Sequence, residues 1–221
     1  MRVFLCGGGS GIQTEEAYKR FSDLIEDKTM PLLYIPLAMY ESNMEGCYEW
    51  ITEELKEYCI DNIEMVRDFK ELEEMDLEEY SAIFIGGGNT YKLLFELKLT
   101  GFYEKLKEYI NNNGIVFAGS AGAIILGKDI KSCNLDDDNE VGLVDTKGID
   151  VLNGYSVLCH YTNRDEEKNE DNRRYLLELS KEIKIIALPE EDTMFISDSG
   201  IEVYGDKPYY IFDNENILVI K

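Results

Sequence analysis

Short apolar runs alternate with amphipathic helical stretches through the first two-thirds of this 221-residue chain. The short runs suit strands that are buried on both faces of a sheet, and the stretches between them suit helices that pack on those faces. Such alternation is typical of a mostly parallel sheet with helices on both sides. The sequence therefore predicts an α/β fold.

The apolar periodicity assigns the individual elements. Predicted strands of the first part cover residues 2–6, 32–36, 63–66, 82–85 and 115–118, and the helices between them cover residues 13–25, 42–58, 91–97 and 102–111. The last third begins with a predicted strand at 157–160, a helix at 173–179 and a strand at 183–188. Turn signals then separate short runs at 194–196, 201–204, 209–212 and 217–220, which predicts antiparallel hairpins near the C-terminus. No linker divides the chain, so one domain over residues 1–221 is predicted.

The charge balance excludes several classes of partner. The chain has 45 Asp and Glu against 22 Lys and Arg, a formal net charge of -23. A polyanion such as nucleic acid, or an anionic membrane surface, would be repelled. The N-terminal apolar run reaches glycines too soon for a signal peptide, and no stretch approaches the roughly 20 apolar residues of a membrane span. With five scattered cysteines, this predicts a cytoplasmic protein with reduced thiols.

A serine lies where a buried strand turns into a helix. The apolar run at 115–118 leads into Gly119-Ser120-Ala121-Gly122. This is the context of a nucleophile elbow, whose tight turn strains the serine backbone and requires small neighbours. Ala118 stands where the usual pattern has glycine, and a small-residue turn that only packs closely is the alternative interpretation.

A glycine loop follows the predicted strand at 82–85. Its sequence, GGGNT at residues 86–90, offers successive backbone N–H groups that can bind an anion. Loops at the carboxyl ends of parallel strands meet at the ligand site, so the N–H groups of Gly88 and Ala121 could form an oxyanion hole. A phosphate loop would need a following Gly-Lys-Ser/Thr, which is absent from the sequence. Another glycine cluster, residues 7–11, is interpreted as a substrate-side loop or a structural turn.

The chain has a single histidine, His160, directly after an apolar run. Histidine is the side chain whose ordinary pKa suits general-base chemistry near neutral pH, so a histidine-activated Ser120 requires His160. A carboxylate should orient the imidazole. Glu190 and Glu191 follow the predicted strand at 183–188, and Glu140 lies in an acidic loop before the histidine, so the choice of acid stays open at this level.

Together, the GGGNT run, the AGSAGA turn at 118–123 and the HYTN run at 160–163 resemble the peptidase E family, serine peptidases of the S51 type. These are related to α-aspartyl dipeptidase and more distantly to cyanophycinase. The resemblance implies a three-layer α/β sandwich similar to class I glutamine amidotransferases, with a Ser-His-Glu triad and no metal or other cofactor. It matches Ser120 with the nucleophile, His160 with the base, and Gly88 and Ala121 with the oxyanion donors. It matches Glu191 best with the acid, and Glu190 and Glu140 are alternatives.

The resemblance also implies a small peptide substrate. Family members that prefer N-terminal aspartate use basic and polar residues after the histidine motif, which makes Arg173 and Arg174 candidate substrate-binding residues, with Arg164 nearby. Asn89, in the GGGNT run, is a further candidate. The acidic residues of 165–171 would instead favour a basic peptide. The predicted function is hydrolysis of short peptides, with Asp-Xaa dipeptides as the candidate class and a homodimer as the candidate assembly.

Two alternative functions stay open. An esterase-type serine hydrolase would place its acid between serine and histidine in the chain, which Glu140 would satisfy and Glu191 would not. A non-catalytic homologue that binds a small molecule would keep the geometry of the site without the reaction.

Overall fold

The computed structural model describes residues 1–221, apart from the side chain of Glu41. The strands are β1 (Arg2–Cys6), β2 (Leu32–Ile35), β3 (Ile63–Met65), β4 (Ala82–Ile85), β5 (Ile115–Gly119), β6 (Tyr155–Leu158), β7 (Lys184–Ala187), β8 (Thr193–Ser197), β9 (Gly200–Tyr204), β10 (Tyr209–Asp213) and β11 (Asn216–Ile220). The α-helices are α1 (Glu15–Leu24), α2 (Met44–Leu55), α3 (Thr90–Leu99), α4 (Phe102–Asn111), α5 (Ala121–Leu126) and α6 (Glu166–Leu179). Among the described residues, no helix has both the length and the apolar character to cross a bilayer.

Two sheets organise the chain. The larger has the order β3-β2-β4-β5-β1-β8-β9, and the strands from β3 to β1 in this order run parallel. The hairpin of β8 and β9 joins it antiparallel beside β1. The smaller sheet has the order β11-β10-β7-β6, with β6 and β7 parallel. The predicted α/β class, mostly parallel sheet and C-terminal antiparallel hairpins are confirmed, whereas the division into two sheets was not predicted.

Stacked aromatic rings hold the centre of the larger sheet. Phe117 of β5 stacks on Phe84 of β4 with ring centroids 4.9 Å apart and on Phe4 of β1 at 5.5 Å. Tyr18 and Phe21 of α1 cover these rings, with centroids 5.0 and 5.4 Å from Phe117. Buried aromatic groups contribute a large share of core stability. Ser120, which directly follows β5, is therefore carried by a strand at the centre of this aromatic core.

Two elements near the site differ from the sequence prediction. Helix α6 begins at Glu166 and not at 173, because Asp165 caps it by accepting a hydrogen bond from the Lys168 N–H (2.9 Å). Its first turns carry almost no apolar residue, so periodicity could not reveal them. Strand β6 ends at Leu158, before the predicted end at 160, because His160 has φ of 58° and cannot continue a strand.

A buried carboxylate lies under the turn that leads into β8. Asp192 has no exposed surface, and its Oδ1 accepts a hydrogen bond from the Lys207 N–H (3.2 Å). Its Oδ2 has no hydrogen-bond partner among the described residues. Burial raises the pKa of Asp192 to about 6. The charged form is therefore disfavoured in the folded chain relative to the unfolded one.

We expect Asp192→Asn to change the pH dependence of folding stability. A carboxyl whose pKa is raised by folding contributes full stability below its unfolded pKa, and that contribution is lost as pH rises through the folded value near 6. Relative to wild type, the free energy of unfolding of the variant should rise by about 2–3 kcal/mol between pH 4 and pH 7.5. Urea unfolding of both proteins at several pH values measures this difference. A difference that stays constant across this range would contradict the assignment.

Candidate active site

Ser120 lies in a sharp turn between β5 and α5. Its backbone has φ of 51° and ψ of -115°, which a non-glycine residue adopts only at a cost of about 1–3 kcal/mol. Hydrogen bonds fix the turn: the Ser120 N–H donates to the Cys6 carbonyl (3.1 Å), and the Ser120 carbonyl accepts from the Ile124 N–H (3.0 Å). A Cβ at Gly122 would lie 2.6 Å from the Ile85 carbonyl oxygen, so only glycine lets α5 approach β4 this closely. The strand–turn–helix context that the sequence predicted is present.

The imidazole of His160 lies against the serine hydroxyl. Ser120 Oγ and His160 Nε2 are 2.8 Å apart. His160 comes shortly after β6 of the smaller sheet, and its N–H donates to the carbonyl of Gly7, the residue that follows β1 of the larger sheet (2.8 Å). Its positive φ turns the side chain back over Ser120. The ring is partly buried, with 22% of the side chain exposed, so one edge stays open to substrate.

The carboxylate beside the imidazole is that of Glu190. Its Oε1 lies 2.7 Å from His160 Nδ1. Glu191, the preferred sequence candidate, points elsewhere and accepts a hydrogen bond from Asn163 Nδ2 (3.1 Å). The prediction that Glu191 orients the imidazole is therefore corrected: the carboxylate in this position is that of the preceding residue, Glu190. Because a carboxylate only accepts, the Nδ1 atom carries the imidazole proton and Nε2 accepts from the Ser120 hydroxyl.

Asn163 determines which of the two neighbouring glutamates, Glu190 or Glu191, contacts the imidazole. Its Oδ1 accepts from the Glu190 backbone N–H (2.9 Å), while its Nδ2 holds the Glu191 carboxylate. The turn at 190–191 is thus tied to the turn that follows His160. Sequence analysis assigned Asn163 no role, although its place in the HYTN run was the available signal.

The N-terminal glycine cluster surrounds the histidine. A Cβ at Gly8 would lie 2.1 Å from His160 Cε1, and a Cβ at Gly7 would lie 1.9 Å from the Pro189 carbonyl oxygen. A Cβ at Gly9 would lie 2.3 Å from the Glu190 carbonyl oxygen. The structure supports both interpretations left open for residues 7–11: Gly7 to Gly9 pack closely, with Gly8 beside the imidazole, and Gly8, Gly9 and Ser10 also line a cavity that reaches Ser120.

The glycine loop after β4 lies beside Ser120. A Cβ at Gly87 would be 3.0 Å from the Ser120 Cβ and 3.4 Å from its Oγ. Gly88 has φ of 132°, a conformation open to glycine, and packs against the Ala38 backbone. Ala121 is the first residue of α5, so its N–H has no acceptor within the helix. Of the two predicted oxyanion donors, Ala121 therefore adjoins the serine in the chain, and Gly88 directly follows the glycine that packs against it.

The predicted substrate-binding residues lie in different surroundings. Asn89 caps α3 by accepting from the Lys92 N–H (2.9 Å), and its Nδ2 donates to the Asp138 carbonyl (2.9 Å), so its side-chain amide is engaged within the chain. Arg173 pairs with Glu170 (3.3 Å) and Arg174 pairs with Asp171 on the exposed surface of α6. Neither arginine lines a cavity that reaches Ser120. The structure therefore contradicts the expectation that this pair contacts substrate there.

An acidic cavity of about 510 Å³ reaches Ser120 and His160. We define it by Asp136, Asp137, Asp138 and Glu140. Burial raises the pKa of Asp136, and the Arg164 guanidinium, 3.5 Å away, partly offsets this. Glu140 lies in the wall of this cavity, while both imidazole nitrogens are engaged by Ser120 and Glu190. Among the described residues, no group of three or more His, Cys, Asp and Glu side chains is arranged to hold a metal ion.

A larger cavity, of about 660 Å³, opens beside the same serine. We call it the aromatic cavity and define it by Tyr18, Tyr34, Trp50, Phe84 and Phe117. Ser120, His160 and Gly88 line both cavities, so the two cavities meet at the Ser120 hydroxyl. This arrangement can carry a proton from Ser120 to a carboxylate-oriented imidazole, with space for a substrate group in each cavity.

Comparisons with known proteins identify the family of this chain. The sequence profile of peptidase family S51 matches residues 3–204. Peptidase E of Nostoc sp. is 24% identical over 96% of this chain and 88% of its own length, and peptidase E of Escherichia coli O1:K1 / APEC is 27% identical over 62% of this chain and 60% of its own length. A crystal structure of a peptidase from an acI-B1 Actinobacterium has a TM-score of 0.66 at 18% identity, covering 100% of this chain and 93% of that one. A Listeria monocytogenes EGD-e protein, provisionally called peptidase E, reaches 0.71 at 20% identity, covering 93% of this chain and 98% of that one. The chain belongs to peptidase family S51, which makes it a peptidase.

We expect the ¹⁵N NMR spectrum of the single imidazole to show which ring nitrogen carries the proton. In ¹⁵N-labelled protein, the neutral ring should show the tautomer with the proton on Nδ1, because Glu190 accepts from that atom. Glu190→Gln should weaken this preference, since an amide can accept or donate. Glu191→Gln is the matched control and should leave the tautomer unchanged. Equal effects of the two variants would contradict the contact described above.

Proposed function

We propose that this family S51 peptidase is a serine enzyme that hydrolyses short peptides through an acyl-enzyme on Ser120. One observation carries the proposal: a continuous hydrogen-bonded chain from Ser120 Oγ to His160 Nε2 (2.8 Å) and from His160 Nδ1 to Glu190 Oε1 (2.7 Å). A nucleophile, a base within hydrogen-bond reach and a third group that orients the base are the parts that nucleophilic catalysis requires. The Ser-His-Glu arrangement of the proposal thus uses Glu190 as its acid.

The reaction follows from the hydrogen bonds. As Ser120 Oγ forms a bond to the scissile carbonyl carbon, His160 Nε2 takes the hydroxyl proton, and Glu190 stabilises the imidazolium that results. The carbonyl oxygen becomes an oxyanion beside the N–H groups of Gly88 and Ala121. The imidazolium then gives its proton to the leaving amine as the C–N bond breaks. Water, deprotonated by the same imidazole, releases the acyl group and restores the serine.

The strained serine turn supports a nucleophile elbow. A positive φ at Ser120 is unfavourable for a serine, and several hydrogen bonds hold it in place. Such strain is typical of functional positions, where it presents a side chain that a relaxed turn would not present. Because α5 starts at the next residue, the positive end of the helix adjoins the developing oxyanion.

The chain order of the contacts favours peptidase chemistry of this family over the esterase alternative. Glu190 follows His160 in the sequence, giving the order Ser, His, acid, whereas an α/β-hydrolase esterase has the order Ser, acid, His. Glu140, the candidate that would have restored the esterase order, lies in the acidic cavity wall.

The proposal also places the enzyme in the cytoplasm, which its acidic composition and its free cysteines support.

We expect the three linked side chains to act as a unit. Ser120→Ala and His160→Ala should each lower kcat by about 10⁴-fold or more, because removing either one disables the same proton transfer. Glu190→Gln should lower kcat by at least about 10²-fold, because the imidazolium loses its carboxylate partner. Steady-state kinetics on a panel of dipeptides and small esters provide the measurement.

Glu191→Gln is the matched control for the acid. It alters the adjacent carboxylate, which contacts Asn163 and not the imidazole, so kcat should stay within about threefold of wild type. A fluorophosphonate probe should label Ser120 in the folded wild type and in Glu191→Gln. Wild-type activity in Ser120→Ala or His160→Ala would refute the mechanism, and a folded protein that resists the probe would favour a non-catalytic homologue.

A further inference from the structure

We infer that the aromatic cavity receives a large apolar side chain of the substrate, so that dipeptides carrying an aromatic residue are preferred over Asp-Xaa dipeptides. This inference rests on the proposed function for its catalytic outcome, although binding in the cavity can be measured without turnover. It replaces Asp-Xaa dipeptides, whose side chain is anionic, with dipeptides whose side chain is aromatic and uncharged.

The cavity is built from aromatic rings next to the hydroxyl. Phe84 and Phe117 stack at 4.9 Å, and the Trp50 ring of α2 meets Phe84 edge-on at 6.0 Å. Trp50 keeps 37% of its surface exposed, unlike the buried phenylalanines, so its indole is the free ring of this lining. At about 660 Å³ the cavity is within the size range of small-molecule sites. Trp50 can contact a substrate ring by stacking or edge-on, while the other four aromatic residues, each at most 2% exposed, form the apolar base of the cavity.

The lining is electrically neutral apart from the histidine at its mouth. Of the described residues that line it, none is Asp, Glu, Lys or Arg. Apart from His160, its titratable polar groups are two hydroxyls and two thiols, and burial raises the pKa of each, which keeps them uncharged at neutral pH. They belong to Tyr18, Tyr34, Cys6 and Cys47. A substrate carboxylate would lose its water there without gaining a cation, which is strongly unfavourable.

The charges around the cavity also oppose an aspartyl side chain. Glu54 lies close by, accepting from the Gly11 N–H (2.8 Å). Beyond the serine, the acidic cavity brings further carboxylates, and its Arg164 already pairs with Asp136. Arg173 and Arg174 are paired on the exposed surface of α6. Within the described part of the chain, the surroundings of Ser120 therefore provide a cavity for an apolar side chain. They provide no free guanidinium that could bind an anionic side chain.

Kinetics on four dipeptides test the preference. We expect the better of Phe-Ala and Ala-Phe to have a kcat/KM at least about 30-fold above those of Ala-Ala and Asp-Ala, since several apolar groups enter the cavity and each changes the rate severalfold. The position at which Phe is favoured identifies which side of the scissile bond the cavity serves. An Asp-Ala value equal to or above those of the Phe dipeptides overturns the inference and leaves the proposed mechanism standing.

Filling the cavity is a second test. Gly46 of α2 lines it, and a Cβ there would meet no atom within 4 Å, so Gly46→Leu should extend into open space without disturbing the helix. The ratio of kcat/KM for Phe to Ala dipeptides should fall at least about tenfold. Thr52→Leu is the matched control, since Thr52 is an exposed residue of α2 outside the cavity lining, and its ratio should match wild type. Equal ratios in both variants, with circular dichroism showing both folded, overturn the inference.

Trp50 gives a readout that needs no catalysis. It is the only tryptophan of the chain, so its fluorescence reports on the cavity alone. In Ser120→Ala, Phe-containing dipeptides should change its emission at concentrations at least about tenfold below those needed for Ala-Ala or Asp-Ala. If they do so while wild type cleaves no peptide, the hydrolytic proposal fails and the binding inference stands. If Phe dipeptides leave the emission unchanged, or Asp-Ala acts at lower concentration, the inference is wrong.

Discussion

The end of β1 holds the site together. The Cys6 carbonyl accepts from the Ser120 N–H, and the next carbonyl, of Gly7, accepts from the His160 N–H (3.1 and 2.8 Å). The Gly7 N–H in turn donates to the Asp192 carbonyl (2.9 Å), which fixes the turn that carries Glu190. Three segments from two sheets thus depend on two consecutive residues. Side chains at Gly7 or Gly8 would collide with Pro189 or with the imidazole, so this junction requires glycine.

The same aromatic packing that stabilises the sheet also forms the wall of the cavity beside Ser120. Phe84 and Phe117 belong to the core, yet they line the cavity that opens at Ser120. A wall made of core residues is rigid, because its rings are fixed by neighbours on both strands and by Tyr18. A substitution that reshapes the cavity floor therefore also removes buried area from the core.

The high negative charge acts on the site as well as on the surface. Asp136, Asp137, Asp138 and Glu140 line the acidic cavity, so the field near Ser120 is negative. Such a field attracts cationic groups and repels anionic ones over a distance of about 8–10 Å at moderate ionic strength. The excess of acidic residues thus bears on chemistry, although the sequence alone indicated only which partners to exclude.

The sequence by itself determined most of the elements and singled out Ser120 and His160. Periodicity placed the parallel strands, a small-residue run marked the turn at Ser120, and a single histidine left one choice of base. Tertiary structure decided the rest: Glu190 in place of Glu191, the distance of Arg173 and Arg174 from Ser120, and an aromatic cavity whose members come from five separate elements. The physical reason is that periodicity fixes side-chain direction only inside regular elements. In an irregular turn such as 189–192, and between segments far apart in sequence, direction is set by long-range contacts like those of Asn163 and Gly7.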